Sequence, residues 1–313
     1  MDGYGVAYWT TAASDFDPER RGASLMERMR PVVYKSTRPA LNDLNLNSLV
    51  TGTCSMGVLA HIRAGTVSLT DDWTDPQGLT PVVETNNHPF LFGRYAFAHN
   101  GVLSQFSHLK IRLLSSLRVH AAREAILGTT DSEHMAALFF ERLVGGTKAG
   151  WADLMAGKQY SMDDLAATMR GILGELEVWI TECAVEDAQD RPDNAPANVA
   201  AMAQHSALNL VVCDGSTMVA IRYASPQPRE PPSLYVSTTA GATMNRLYEG
   251  HPDKGNPEIG GHVHEGHKPR KEHGRHVIVA SEPSTYDQNE WRLIPPQHMV
   301  VVGHDHIPAV MPI

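Results

Sequence analysis

The chain has 313 residues, which is long enough for one large or two ordinary domains with a substantial hydrophobic core. Hydrophobic residues make up 42% of the sequence and charged residues 19%, which excludes a fibrous or wholly disordered chain. The net charge of −9 argues against a broad nucleic-acid-binding surface, and no apolar run approaches the ~18 residues that a membrane span requires.

The predicted elements follow the order strands, helices, strands, which is typical of an α+β fold with sheets covered by helices. Alternation and β-branched residues indicate strands at 2–9, 57–62 and 95–98. Apolar residues spaced three or four apart then indicate helices at 105–117, 131–144 and 162–181. Strands follow at 208–213, 217–223, 233–237, 276–280 and 299–302. We expect a single domain over 1–313, with polar loops at 186–199 and 250–274.

Thr130 and Glu133 stand at the predicted start of the second helix and fit a capping box. In that motif the threonine hydroxyl accepts a hydrogen bond from the glutamate amide, and the glutamate carboxylate accepts one from the threonine amide. We therefore expect a helix that begins at residue 131.

Cys54, Cys183 and Cys213 are widely spaced and include no C-x-x-C pair. This odd set indicates a reducing compartment, and the N-terminal sequence lacks the pattern of a secretory signal, so we expect a cytoplasmic protein. Each cysteine is interpreted as a small buried thiol, and none has a sequence setting that indicates a reactive thiolate.

Four short polar segments occur where predicted strands or helices begin or end: H-I-R-A-G-T at 61–66, N-N-H-P-F at 86–90, A-H-N-G at 98–101 and T-D-S-E at 130–133. Taken singly they are consistent with a solvated strand edge, a turn or a charge at a helix start. Together they offer an arginine for a carboxylate, an aspartate for an ammonium group, and Asn100 with the Gly101 amide for a developing oxyanion. A glutamine-like ligand carries all three complementary groups.

The order of these segments resembles the glutaminase domain of class II glutamine amidotransferases, which are N-terminal-nucleophile (Ntn) hydrolases. The D-G-Y-G-V-A-Y-W strand at 2–9 and the segments at 233–239, 277–283 and 291–295 resemble the γ-glutamyl amidohydrolase branch of that family. That branch includes the Dug-type glutathione-degradation amidotransferase subunit and an ergothioneine-pathway amidohydrolase. The resemblance covers nearly the whole chain and implies a four-layer αββα sandwich that uses no cofactor.

Carried onto this chain, the resemblance implies that Arg63 and Thr66 bind the α-carboxylate region of glutamine or of a γ-glutamyl peptide such as glutathione. His88 would line the pocket, and Asp131 would hold the α-ammonium group. The resemblance to the Dug-type subunit further implies a metallopeptidase-like partner. We expect neither nucleic acid nor a membrane among the partners.

The same resemblance assigns the oxyanion hole to Asn100 and Gly101, and the nucleophile to a cysteine at position 2 whose α-amine acts as the base. Position 2 is aspartate here, and the first strand of the family is absent from the sequence. We therefore expect a truncated Ntn-hydrolase sandwich with negligible hydrolysis, whether through truncation of the gene model or through true loss. An alternative is a non-catalytic binding or assembly subunit that retains the γ-glutamyl pocket.

Six histidines, at positions 251, 262, 264, 267, 273 and 276, crowd one predicted loop. H-V-H-E-G-H offers possible metal-ligand spacing, but no predicted strand or helix frames it and no thiolate set completes a standard zinc pattern. We interpret the segment as a solvated loop and predict no metal site, with a metal-binding module as the weaker alternative.

Overall fold

The computed structural model describes residues 3–18, 22–63, 81–190, 205–225, 230–240, 276–285 and 288–313. Within these ranges the strands, in chain order, are β1 (Tyr4–Thr10), β2 (Arg30–Ser36), β3 (Val58–Ile62), β4 (Phe90–Phe92), β5 (Tyr95–Val102), β6 (Ser206–Cys213), β7 (Met218–Ser225), β8 (Tyr235–Ser237), β9 (Ile278–Ala280), β10 (Arg292–Leu293), β11 (His298–Val302) and β12 (Pro308–Pro312). The helices are α1 (Ala12–Asp15), α2 (Leu25–Arg28), α3 (Leu44–Gly52), α4 (Phe106–Ser116), α5 (His120–Glu124), α6 (Asp131–Leu143), α7 (Lys148–Met155) and α8 (Met162–Asp190). None of these helices has a stretch long and apolar enough to cross a bilayer.

The strands form three antiparallel sheets. The largest has six strands in the order β12-β11-β7-β6-β5-β4. The other two have three strands each, in the orders β2-β1-β3 and β10-β8-β9. We call the second sheet the β1 sheet and the third the β8 sheet.

Both small sheets pack on the same face of the six-stranded sheet, and the long helices cover its other face. The largest hydrophobic cluster joins α4, α6 and α8 to β4–β7 and includes Phe97, Phe139 and Leu173. A second cluster, with Ala7 and Trp9 on β1, fills the space between the β1 sheet and the six-stranded sheet. A third lies between the β8 sheet and the same large sheet.

The outer face of the β1 sheet contacts the start of α3. Ala7 and Trp9 face the inner cluster, so strand alternation places Tyr4 on the opposite face. The hydroxyl groups of Tyr4 and Tyr34 each donate to Asp43 Oδ2 at 2.8 Å, and Asp43 also caps α3. The layers are therefore helices, the six-stranded sheet, the two small sheets and α3, as the predicted αββα arrangement requires.

Periodicity located the long helices and most strands, but two details of the prediction were wrong. Helix α8 continues through Asp190, so residues 186–190 are helical, because the good helix formers there meet no proline before position 192. At α6 the Thr130 hydroxyl caps the Glu133 amide as predicted, whereas the Glu133 carboxylate accepts hydrogen bonds from the amides of Leu127 and Gly128. The rest of the predicted loops, 191–199 and 250–274, lies outside the described residues.

A buried ion pair fastens the β6–β7 hairpin to the turn that joins β4 and β5. Arg94 Nε lies 3.2 Å from Asp214 Oδ2, and both side chains are almost fully buried. The other oxygen of Asp214 accepts hydrogen bonds from the amides and hydroxyls of Ser216 and Thr217. The carboxylate is therefore compensated by one cation, by the hairpin turn and by the Gln159 side-chain amide, which donates to Oδ2 at 3.1 Å.

Candidate active site

The first predicted site residue, Arg63, directly follows β3 beside the start of β1. Its amide donates to the Gly3 carbonyl at 2.9 Å, and its Nη1 atom donates to the Pro81 carbonyl at 2.9 Å. The side chain is buried. A guanidinium carries five donors in a planar fork, the geometry that recognises carboxylates.

Asn86 connects Arg63 to the start of α6. Its Nδ2 atom donates to the same Pro81 carbonyl at 3.0 Å and to Thr129 Oγ1 at 3.2 Å. Its Oδ1 atom accepts the Thr129 amide at 2.8 Å. Because Asn86 has no exposed surface, these bonds fix the N-terminal end of α6 relative to Arg63.

Asp131, at the first position of α6, holds the end of β5. Its Oδ2 atom accepts the Leu103 amide at 2.9 Å, and its Oδ1 atom accepts the amide and hydroxyl of Ser132. The Ser132 hydroxyl lies 2.9 Å from Nδ1 of His99 on β5. The side chain of Asp131 retains 20% of its surface exposed, so a ligand cation can reach it.

Three histidine rings complete the network. The His61 and His88 ring centroids lie 4.2 Å apart, and His61 also makes a hydrogen bond to the His99 backbone. Burial lowers the pKa of His61 to about 4, with the neighbouring His99 adding to the effect, and burial lowers the pKa values of His88 and His99 too. All three rings are therefore neutral at pH 7.

His88 combines deep burial with free hydrogen-bonding capacity. Among the described residues, neither of its ring nitrogens has a hydrogen-bond partner. Buried polar atoms are normally paired, so this ring is a candidate ligand-binding group. Lys35 approaches the same region: its Nζ atom lies 4.9 Å from the centroid of the Phe90 ring, and burial lowers its pKa.

Asn100 and Gly101 occupy the end of β5 but face differently. His99 points towards α6, so alternation directs the Asn100 side chain to the opposite side, where its amide donates to Ser281 Oγ at 3.1 Å. Gly101 has a φ of +146°, and a Cβ atom there would lie 1.7 Å from the Ala207 carbonyl oxygen. Only glycine fits this position.

Hydrogen bonds and ring contacts therefore connect Arg63, His88 and Asp131 in one group of residues, which we call the framework. Asn100 makes its contact with Ser281 instead. Thr66 lies outside the described residues. His61, Asn86, His99 and Ser132 are framework residues for which the sequence predicted no role. They fall inside the predicted polar segments, but their partners are distant in the chain, so spacing alone did not reveal them.

The prediction that Cys54 is buried was wrong: the residue is exposed, in the segment that connects α3 to β3. Cys54 precedes the first residue of β3, whereas Arg63 follows the last one, so the two flank opposite ends of the strand. Cys183 and Cys213 are buried as predicted, and burial raises the pKa of Cys213 to about 12. Among the described residues no thiol stands beside the framework, and position 2 lies outside them.

A cavity of about 660 Å³ lies between β3, β9 and the six-stranded sheet. His61, Asn100 and Ser281 contribute to its lining together with apolar residues of β3, β6, β7 and β9. No group of three or more potential metal-ligating side chains occurs within the described ranges. Of the six clustered histidines only His276 is described, so the structure does not test that loop.

Comparison with known proteins shows which proteins the chain resembles. No protein-family profile matches the chain. The probable glutamine amidotransferase DUG3 of Saccharomyces cerevisiae is 28% identical over 302 residues, covering 96% of this chain and 69% of that protein. A glutamine aminotransferase class-II domain protein from Silicibacter pomeroyi has the same fold, with a TM-score of 0.52 and 18% identity over 99% of this chain and 90% of that one. The chain is thus similar in sequence to a probable glutamine amidotransferase and shares the fold of a class-II glutamine aminotransferase domain protein, in agreement with the resemblance predicted from its motifs.

Proposed function

We propose that the framework around Arg63 and Asp131 binds the amino-acid end of glutamine or of a γ-glutamyl peptide such as glutathione. The observation that carries this proposal is the connection of four polar segments, distant in sequence, at one end of the β1 sheet. A buried guanidinium and a partly exposed carboxylate are the groups that an α-carboxylate and an α-ammonium require. Thr66 joins this assignment only through the family resemblance.

In the proposed reaction a thiolate attacks the side-chain carbonyl of the γ-glutamyl amide. Asn100 and the Gly101 amide stabilise the tetrahedral oxyanion, whose collapse releases ammonia or an amine and leaves a γ-glutamyl thioester. Water then hydrolyses the thioester to glutamate and the free thiol. Asn100 would have to exchange its bond to Ser281 for one to the oxyanion.

The described residues supply no thiol at this position, so we propose that the chain as given binds the ligand without appreciable turnover. This observation also favours the second candidate, a binding or assembly subunit that works beside a metallopeptidase-like partner. The two candidates share the pocket and differ in whether hydrolysis occurs.

Thermal unfolding with millimolar L-glutamine, glutathione or D-glutamine tests ligand binding. A ligand at about 100 times its Kd stabilises the folded state by about 2.7 kcal/mol, which corresponds to a shift of a few degrees. We expect L-glutamine or glutathione to raise the melting temperature and D-glutamine to have less effect. Absence of any ligand-dependent shift would contradict the proposal.

Three variants locate the ligand. Arg63→Ala and Asp131→Asn should abolish the shift, whereas Arg112→Ala, which removes an exposed guanidinium paired with Glu182, should preserve it. Ammonia and glutamate release are measured in parallel. Release well above buffer would overturn the proposal that the chain binds without turnover and exclude the non-catalytic candidate.

A further inference from the structure

Asn209 on β6 lies directly opposite Asn100 on β5 in the six-stranded sheet. Directly opposed residues of antiparallel strands extend their side chains from the same face, with Cβ atoms about 4.5–5.5 Å apart. The Asn209 side chain therefore lies beside the predicted oxyanion-hole amide, on the face where Asn100 contacts Ser281. Asn209 belongs neither to the predicted polar segments nor to the framework.

Two hydrogen bonds fix the orientation of the Asn209 side-chain amide. Its Nδ2 atom donates to the Ser233 carbonyl at 2.9 Å and to the Pro232 carbonyl at 3.3 Å. A carbonyl oxygen only accepts hydrogen bonds, so the amide atom that faces these two carbonyls is the nitrogen, and Oδ1 points away from them. Both hydrogens of Nδ2 are thereby used, and Oδ1 is the group of this side chain that is left to bind a donor.

Asn209 Oδ1 is a buried acceptor that lacks a donor. The residue is 5% exposed, and among the described residues this oxygen has no hydrogen-bond partner. An unpaired buried polar atom is costly, so the oxygen marks a place where a donor is needed. The Asn100 amide can supply that donor, because its Nδ2 atom carries two hydrogens and its bond of 3.1 Å to Ser281 Oγ uses one of them.

Rotation of the Asn100 side chain carries its amide from one acceptor to the other. Two asparagine side chains on directly opposed strand residues can form a hydrogen bond without any change in the strand pairing. When one Nδ2 hydrogen of Asn100 lies on Asn209 Oδ1, the second hydrogen is free for the carbonyl oxygen of a ligand. The amide is then held on one side by the protein and on the other by the ligand.

We propose that Asn209 is a positioning residue for the oxyanion hole: its Oδ1 atom accepts one Nδ2 hydrogen of Asn100 while the other hydrogen binds the γ-carbonyl oxygen of the ligand. Ser281 holds the same amide when no ligand is bound. This assignment deepens the proposed function and rests on it, because it requires a γ-glutamyl carbonyl at Asn100. Asn209 itself does not touch the substrate and acts only through Asn100.

The affinities for L-glutamine and L-norvaline separate a positioning role from a structural one. L-Norvaline has the same amino-acid head and a methyl group in place of the side-chain amide, so the ratio of the two affinities isolates the contact with the carbonyl. Isothermal titration calorimetry on the full chain should show that glutamine binds more tightly than norvaline. Asn209→Leu removes Oδ1 at similar side-chain volume. It should reduce the affinity ratio by about threefold or more and leave the norvaline affinity within about twofold. Loss of both affinities by the same factor would show that Asn209 only supports the fold and would overturn the proposal.

Two further variants serve as controls. Arg222→Lys removes the Nε atom that donates to the Pro232 carbonyl at 2.8 Å, so it disturbs the segment that Asn209 holds without changing Asn209 Oδ1. It should leave the affinity ratio within about twofold. Ser281→Ala removes the acceptor of the ligand-free state and should preserve the ratio or raise it. The proposal is wrong if either control lowers the ratio as much as Asn209→Leu does.

A measurement on the ligand-free chain tests the contact between the two asparagines without glutamine. Solvent exchange of the Asn100 side-chain amide is followed by NMR of the isotope-labelled chain, and its signals are assigned by their absence in Asn100→Asp. In Ser281→Ala the amide should move to Asn209 and exchange within about threefold of the parent rate. Addition of Asn209→Leu to Ser281→Ala should speed exchange by about tenfold or more. Equally fast exchange in the single and the double variant would mean that Asn100 does not reach Asn209, and the positioning role would be refuted.

The two measurements distinguish failure of this proposal from failure of the proposed function. If neither amino acid binds the parent chain, the proposed function is contradicted, and with it the role of Asn209 towards a ligand. If glutamine binds but Asn209→Leu leaves the affinity ratio unchanged, only the role of Asn209 is contradicted. Circular dichroism establishes whether Asn209→Leu folds. If it does not, Ser281→Ala alone decides the question, because an increase of about tenfold or more in its Asn100 amide exchange would overturn the proposal and a retained rate would support it.

Discussion

Replacement of Gly101 by alanine tests the geometry at the end of β5. A φ of +146° is a conformation that residues with a Cβ atom rarely adopt, and it costs about 1–3 kcal/mol. The new Cβ atom would also lie 1.7 Å from the Ala207 carbonyl oxygen, a backbone atom in the paired strand β6. Forcing the strands apart to relieve such an overlap costs about 1–3 kcal/mol. We therefore expect the free energy of unfolding to fall by about 2–6 kcal/mol in total.

Gly171→Ala provides the matched control. Gly171 lies within α8, and a Cβ atom there would meet no other atom within 4 Å. The helix gains about 0.5–1 kcal/mol when alanine replaces an interior glycine, so this variant should be slightly more stable than the parent chain. Urea unfolding followed by circular dichroism measures both changes. The reasoning is refuted if Gly101→Ala unfolds at the parent's urea midpoint or above it.

Three further predictions concern buried polar groups. Asn86→Ala should lower the free energy of unfolding by about 2–4 kcal/mol, because it leaves buried backbone groups unpaired. The control Asn47→Ala, at an exposed position, should change it by less than about 0.5 kcal/mol. Equal effects of the two substitutions in urea melts would contradict this prediction. Arg94→Met leaves the buried Asp214 carboxylate without its cation and should lower the free energy of unfolding by about 3–5 kcal/mol. Arg28→Met, which removes the cation of the exposed pair with Asp15, should lower it by at most about 1 kcal/mol in the same assay. The pKa of His61 is about 4 in the folded chain and about 6.5 in the unfolded chain. Between these pH values the unfolded chain binds more protons than the folded chain, so the free energy of unfolding falls as the pH drops below about 6.5. His61→Phe should reduce the stability loss between pH 7 and pH 5 by about 2 kcal/mol, and an unchanged pH profile would show that the ring is not shielded in the fold.

The elements that the sequence predicted correctly are those with strong periodicity. The apolar spacing in α4, α6 and α8 and the alternation in β1 follow directly from burial of one face. Strand β12 was missed because prolines occupy both of its ends, a composition that suggests a loop but is tolerated in an edge strand. Helix α3 was missed because it has no buried residue and therefore no apolar stripe.

The site was predictable as a set of segments but not as a set of contacts. Asn86 meets Thr129 across 43 positions, and His99 meets Ser132 across 33. No periodicity within one element encodes such pairings, because they depend on how the layers pack. Asn100 shows the same limit: its motif predicted a role at the strand end, but its contact with Ser281 depends on the placement of β9.

The framework stabilises the site mainly through hydrogen bonds between side chains and backbone. The Pro81 carbonyl accepts from both Arg63 and Asn86, and Asp131 accepts the Leu103 amide. Each of these side chains consequently positions a chain segment as well as offering a group to a ligand. Removing Arg63 would disturb the segment on which Asn86 depends, and removing Asn86 would release the start of α6 that carries Asp131. The changes in the free energy of unfolding caused by substitutions at Arg63, Asn86 and Asp131 should therefore be non-additive, because residues that share hydrogen-bond partners couple by about 0.5–3 kcal/mol. A ligand that bridges Arg63 and Asp131 would increase that coupling, whereas a purely structural framework would show the same coupling with and without glutamine.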